Sequence, residues 1–428
     1  MSPAEQAMSL FHRRMSALFL SKLARASVWL FVGGIVGGIL SYVFQVLMGR
    51  MLSTKEYGLF GAIMALYMVL SAPLGTLIMV ISRKVSEYRA KQDAGSITYF
   101  YYSINIRSAI VGGVFLGIYL LISPQIQSYL KASSVIPVYL LGVLLLATFP
   151  PFINNAFLQG LQLFAWFSAS NLFNVLLKIA CSVLLVSLGY GLVGAVGGAI
   201  LAALAMWFIS YGVIYRPLTS GRNQPHQTTH LSFKSALPVL AANAAFAAMT
   251  QLDMVLVNYY FSPHEAGLYA AASILGKAVM YLPSGIAMAL FPMVAENHAR
   301  NEGSSHLLLQ AVGLTLLLCG AGAVFYFLFG ERIVVLLYGE GYRSAGELLK
   351  LFGFAILPMA LVMVAEHFLI AKGRVLFAYL FIITAPLQLT AIHFYHESLQ
   401  MVILIMGVSG LLLTILGYTV LWRSYRNK

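Results

Sequence analysis

The stretch LSTKEYGLFGAIMAL, residues 52–66, sets a charged elbow between two long apolar runs, and FSPHEAGLYAAASIL, residues 261–275, repeats it. Ser53 falls on Ser262, Glu56 on Glu265, Gly58 on Gly267 and Phe60 on Tyr269, at an offset of 209 residues. The same offset carries Leu66 onto Leu275, Met79 onto Met288, Val85 onto Val294, Glu87 onto Glu296, Lys91 onto Arg300 and Asp93 onto Glu302. Two greasy helices share Leu and Met by chance. A shared acid, base, acid order in the loop that follows them marks an internal duplication.

Composition sets the environment of that duplication. Of 428 residues, 60% are hydrophobic and 9% charged, and the mean hydropathy is +0.86, which fits no ordinary soluble domain. A bilayer core about 30 Å thick takes about 20 apolar residues per helix. The apolar runs predict twelve spans: 26–49, 57–82, 98–122, 134–158, 166–189, 192–215, 235–261, 265–292, 306–329, 347–371, 374–394 and 398–422. The runs are continuous and do not alternate, so helices are expected and a β-barrel is not. Cys181 and Cys319 both lie inside spans and read as small apolar residues, not as a disulfide.

The net charge of +13 would suit nucleic acid if the basic residues clustered as a patch. They do not. Seventeen of the 26 Lys and Arg fall in loops or span ends on one side, among them Arg13, Arg14, Arg83, Lys84, Arg216 and Arg423, against six on the other. The positive-inside rule makes the richer side cytoplasmic, with both termini there. Residues 1–25 are basic and amphipathic and read as a surface segment attracted to membrane lipids, not as a cleaved signal.

An offset of six spans, an even number, gives the copies the same orientation. The expected fold is an all-α polytopic membrane protein: bundles at 26–215 and 235–428, a cytoplasmic linker at 216–234, and a pseudo-two-fold axis along the membrane normal with substrate near the midplane between halves. Gly58 and Gly267 would permit a tight turn or a close helix approach, and Glu56 and Glu265 would meet the positive ends of helix dipoles. The elbow thus reads as a hairpin device, with gating as the alternative.

LSTKEYGLFGAIMAL, the matching run DMVLVNYYFSPHEAGLYAAASILGKAV from Asp253, and LFPMVAEN at 290–297 resemble the polysaccharide-transporter, Wzx-type branch of the multidrug/oligosaccharidyl-lipid/polysaccharide superfamily. The resemblance implies a flippase, not an enzyme, working by alternating access on an oligosaccharide carried by a polyprenyl diphosphate. It implies glycan polymerase or glycosyltransferases as neighbours. Two rivals stay open: a cation-coupled small-molecule exporter of the same superfamily, and a membrane subunit of an exopolysaccharide synthase complex.

The chain has no GxxxxGK[ST] phosphate loop, so ATP hydrolysis is not indicated, and no cofactor is expected. HFYHE, with His393, His396 and Glu397, is an interfacial cluster rather than a metal site. Charges within spans are costly and mark a cavity or a partner. Arg107, Lys178 and Lys277 are the basic ones. Asn171 and Asn174 share a helix face with Lys178. None of the three cations recurs at the repeat offset, since Arg107 maps to Leu316, Lys178 to Leu387 and Lys277 to Met68. They are therefore expected to line a path for the anionic head group, with Asn171 and Asn174 beside them. Asp253 and Glu366 are the candidates for coupling to a proton or sodium gradient, and an Asp253–Lys277 bridge is the structural alternative for that pair.

Overall fold

The computed structural model describes residues 32–221, 224–225, 237–281, 283, 285–286, 290, 293–294, 305–371 and 376–426. The N-terminal segment 1–25, most of the linker, and the repeat positions Met288, Glu296, Arg300 and Glu302 lie outside the described residues. Within them the chain is helical, with no strand. The first half holds α1 (Val32–Met51), α2 (Thr54–Ala90), α3 (Ala94–Tyr129), α4 (Ile136–Gly160), α5 (Phe164–Leu185) and α6 (Gly191–Ser220). The second holds α7 (Leu237–Tyr260), α8 (Pro263–Tyr281), α9 (Ser305–Tyr338), α10 (Ala345–Ala355), α11 (Leu357–Ala371), α12 (Leu376–Phe394) and α13 (Leu399–Arg426).

Nine stretches among the described residues are long and apolar enough to cross a membrane. One of them, Phe164–Ser220, is α5 and α6 joined. It reverses at Gly189 and Gly191, whose φ of 92° and 48° a side chain would oppose, and the two helices pack on each other as a hairpin. Counted as two spans, and with α8 and α12 added, these helices trace the twelve expected spans.

Three details depart from expectation. At about 1.5 Å per residue, α2 is about 55 Å long and outruns a core of about 30 Å, so it projects well beyond the bilayer. The span expected at 347–371 is two helices, broken at Ile356, two residues before Pro358, which has no N–H to donate to the preceding turn. Helix α6 runs on to Ser220, five residues into the expected linker.

The repeated elbows are matched capping boxes. Ser53 begins α2: its Oγ accepts from the Glu56 amide at 3.3 Å, while its own amide and hydroxyl donate to Glu56 Oε2 at 3.1 and 2.8 Å. Ser262 and Glu265 repeat this ahead of α8, at 3.3, 2.9 and 2.7 Å. The S-x-x-E spacing satisfies amides that the first helical turn leaves unpaired.

These elbows also touch each other. A methyl on Gly58 would stand 2.7 Å from the Gly267 amide nitrogen, and one on Gly267 would stand 2.0 Å from the Thr54 carbonyl oxygen. Gly58 and Gly267 therefore lie on the same membrane face, as a parallel repeat requires. Around this contact one core runs across both halves, with Tyr57, Phe60, Tyr269, Phe352 and Val402 in it. Toward the opposite face, that of the 216–234 linker, the core divides. Val85, Phe100, Phe157 and Leu218 pack within the first half, and Val279, Val364, Phe368 and Phe381 within the second. The halves are thus joined at the elbow face and cored separately at the linker face. Helix α2 lies along α7 and α8, and Asn243 Nδ2 donates to Thr76 Oγ1 at 3.0 Å, far down α2 from the elbow.

The capping role gives a direct test. Ser262→Ala should lower stability by about 1 kcal/mol. The Ser262 hydroxyl accepts from the Glu265 amide and donates to the Glu265 carboxylate, so the substitution removes both of these bonds and leaves only the one from the Ser262 amide. Thermal unfolding of wild type and variant at neutral pH checks this, and equal midpoints would remove the cap as a source of stability.

Candidate functional site

A seal closes the elbow face. The Tyr57 hydroxyl donates to the Tyr338 hydroxyl at 3.3 Å, and both rings pack against Tyr342, with centroids 5.4–6.0 Å apart. Such aromatic contacts contribute about 0.5–1.5 kcal/mol each beyond burial. Gly49 of α1 leaves room for the Tyr338 ring, which a methyl there would meet at 2.4 Å. Beside it, Arg50 Nε donates to the Leu337 carbonyl at 2.6 Å, and its Nη2 donates to that of Leu336. A cation on the last carbonyls of α9 also meets the negative end of the helix dipole, worth about 0.3–1 kcal/mol. The seal thus ties α1 and α2 of one half to α9 of the other. Nearby, Tyr129 stacks on Tyr259 at 4.2 Å and Asn258 donates to the Leu130 carbonyl at 2.6 Å, again across the halves.

Tyr42 of α1 lies within electrostatic range of Tyr281 of α8 and of Tyr326 and Tyr338 of α9. Lys178 stands behind α1, its Nζ 4.5 Å from the centroid of the Phe44 ring. The packing of Gly33 on Ser168 and of Gly37 on Leu172 runs α1 parallel to α5 and delivers Phe44 to Lys178. Among the described residues Lys178 has no acidic partner. The polar stripe expected on α5 is present. Asn171 Oδ1 accepts from Asn155 of α4 at 3.4 Å, Asn174 is exposed, and the Asn155 and Gln45 side-chain oxygens are buried without a hydrogen-bond partner among the described residues.

The second in-span lysine is in a different state. Lys277 Nζ lies 2.9 and 2.8 Å from the two carboxylate oxygens of Asp253, and the Tyr269 hydroxyl donates to Asp253 Oδ2 at 2.7 Å. The side chains are 8% and 0% exposed, so this is a dry, neutral pair. Removing one partner of such a pair costs about 3–5 kcal/mol. The pair also sits deeper: Lys277 is 14 residues from the elbow end of α8, about 21 Å, whereas Lys178 is seven from the matching end of α5, about 10 Å.

Arg107 is exposed on α3. Gly112 turns the packed face of α3 onto Leu146 of α4, and at 100° per residue Arg107 lies about 140° round from it, between the exposed Ile106 and Ile110. From Arg107 the apolar run continues fifteen residues to Ile122, about 22 Å, which puts Arg107 toward the linker-face end and within snorkelling reach of it. Glu366 is half-buried on α11, with no hydrogen-bond or ion-pair partner among the described residues. The HFYHE rings are engaged with Tyr260: His393 Nδ1 hydrogen-bonds its hydroxyl and His396 stacks on it at 3.7 Å. The structure therefore brings Asp253 to Lys277 and Asn171 to the face of Lys178, and it gives Arg107, Lys178 and Lys277 three separate surroundings.

The family model of polysaccharide biosynthesis proteins matches residues 23–298, well over half of the chain. The chain belongs to that family. The MatE family model matches residues 238–392. No curated protein sequence matches the chain. An inward-facing multidrug resistance transporter of the MATE family in the MOP superfamily aligns with a TM-score of 0.74 at 16% identity, over 94% of this chain and 98% of its own. The lipid II flippase MurJ, in an inward closed conformation, gives 0.68 at 14% identity, over 92% and 87%. A MOP superfamily transporter from Pyrococcus furiosus, whose structure is described as having a binding pocket of reverse polarity that suggests a different function, gives 0.61 at 16%, over 94% and 95%. At these identities the likeness is one of fold. Together with the family match, it makes this polysaccharide biosynthesis family member a multi-pass membrane protein of the MOP superfamily, a group of transporters and flippases.

Sequence reasoning passed over Arg50 and the tyrosines. Arg50 was one more loop cation, and no spacing in the sequence announces that Tyr57, Tyr338 and Tyr342 meet. If Arg50 holds the seal, spin labels at Lys55 and Arg332 should report one compact distance in the wild type. Arg50→Ala should add a longer-distance population, and an unchanged distribution would show that Arg50 is incidental.

Proposed function

We propose that this protein flips a polyprenyl-diphosphate-linked oligosaccharide across the bacterial inner membrane, with both termini and the linker face in the cytoplasm, for cell-surface polysaccharide assembly. The observation that carries the reading is Lys178: an in-span lysine on a polar helix face, held over an aromatic ring and matched to no carboxylate among the described residues. A cation in that position attracts an anionic head group out of water, and the attraction strengthens as the local dielectric falls. With the elbow seal closed and the cores divided at the linker face, the head group enters from the cytoplasmic leaflet while the lipid tail stays in the bilayer. Rocking of the halves about the α2–α7 edge then opens the elbow face.

Family membership and the fold shared with a lipid II flippase support the class of substrate. The exporter reading draws on the MatE match; of the in-span carboxylates such a pump would use, Asp253 is taken up by Lys277 and Tyr269, which leaves Glu366 as the remaining candidate. Arg107, near the cytoplasmic side, meets the head group or lipid phosphates before entry. Glycosyltransferases and a polymerase are the partners this role requires.

In proteoliposomes loaded with a fluorescent polyprenyl-diphosphate oligosaccharide, Lys178→Gln should cut translocation tenfold or more while Lys178→Arg retains most of it. Both should fold and insert as the wild type does. Normal flipping by Lys178→Gln would end the cationic-path mechanism.

A further inference from the structure

We propose that Lys277 is a tethered substitute for a coupling cation, so that this transporter neither needs nor admits a free alkali ion at Asp253. The proposal rests on the transporter reading but not on the identity of the transported substrate. Asp253 is the carboxylate of α7 that is fully enclosed, and a free cation in the second half would take it as its anionic ligand. Every feature such an ion requires is present and already occupied. The ammonium sits symmetrically across both oxygens at 2.9 and 2.8 Å, and Tyr269 donates to one of them at 2.7 Å. The hydroxyl of Tyr269 also reaches Met406 Sδ of α13 at 3.4 Å, and its ring packs on Phe352 of α10 at 5.3 Å. Helices α7, α8, α10 and α13 thus converge on one neutralised carboxylate.

The backbone keeps the ammonium in place. Gly276, just before Lys277, admits the Phe352 side chain so closely that a methyl there would meet its Cβ at 2.4 Å. That contact clamps α8 against α10 and presents Lys277 inward to α7. A mobile ion binds and leaves with each cycle and so couples the cycle to its gradient, whereas a covalently attached ammonium cannot leave. The charge balance at Asp253 is then constant through the cycle, and no alkali-ion gradient acts through this carboxylate.

The test uses the full-length purified protein and sodium, lithium or choline chloride at equal ionic strength. Wild type should unfold at the same temperature in all three salts. Lys277→Met leaves a space beside a bare carboxylate. It should unfold at a lower temperature in choline and regain part of the loss in sodium or lithium, and adding Asp253→Asn to it should abolish that salt dependence. Two results overturn the proposal: a wild-type midpoint that rises specifically in sodium and ceases to do so in Asp253→Asn, or a folded Lys277→Met protein indifferent to all three cations. Should Lys277→Met fail to fold, the wild-type and Asp253→Asn comparison still decides. Because the readout contains no transported substrate, an error in the substrate assignment leaves this result intact.

Discussion

The close approach of the Gly58 and Gly267 backbones is the constraint on which the rest of the structure depends. Only where both residues lack a Cβ can the two elbows touch, and their contact seats Ala266 against Gly58 and Thr54 against Gly267 and brings Tyr57 within reach of Tyr338. From there a single core spans both halves, and with distance from the elbows it separates into two. The halves thus share a core where the glycines meet and have separate cores at the other end, where α2 still lies along α7 and Asn243 bonds Thr76. Capping boxes stiffen the two helices that start at the glycine contact.

Within that arrangement, three in-span cations with the same formal charge have three different states. Lys277 is neutralised by a carboxylate and a phenol and is dry. Lys178 lies over the face of Phe44 with no acidic partner among the described residues. Arg107 faces outward on α3 near one end. Burial and partners, not residue type, decide what each can do. A paired ion in a dry core stabilises one arrangement of helices, while an unpaired ion beside polar side chains is available to an anion. Among the described residues the unpaired in-span lysine therefore lies in the first half, and the paired one in the second.

Much of this was legible in the chain. Periodicity and apolar length set the twelve spans, because a bilayer leaves the backbone no other way to satisfy its hydrogen bonds. The 209-residue echo identified the elbows and their shared orientation, and the Ser and Glu at fixed spacing already carried the capping box. The polar face of Asn171, Asn174 and Lys178 was also visible, since it depends only on the pitch of one helix. Helix lengths were less so: α2 and α6 run past their apolar stretches because polar residues continue a helix in water as well as apolar ones do in lipid.

What the sequence by itself determined is therefore whatever repeats within one helix or between two copies of a segment: class, topology, elbows and stripe. The tertiary structure alone decided which distant residues meet. Asp253 and Lys277 sit 24 positions apart on adjacent helices, close enough for the chain to suggest their pairing, yet only the packing of α7 on α8 encloses them with Tyr269. Arg50 and Leu337, or Tyr57 and Tyr338, lie more than 280 positions apart, and no local pattern records their contact. The physical reason is that a helix's pitch and polarity are local properties, whereas partner choice between the halves depends on how two whole bundles pack.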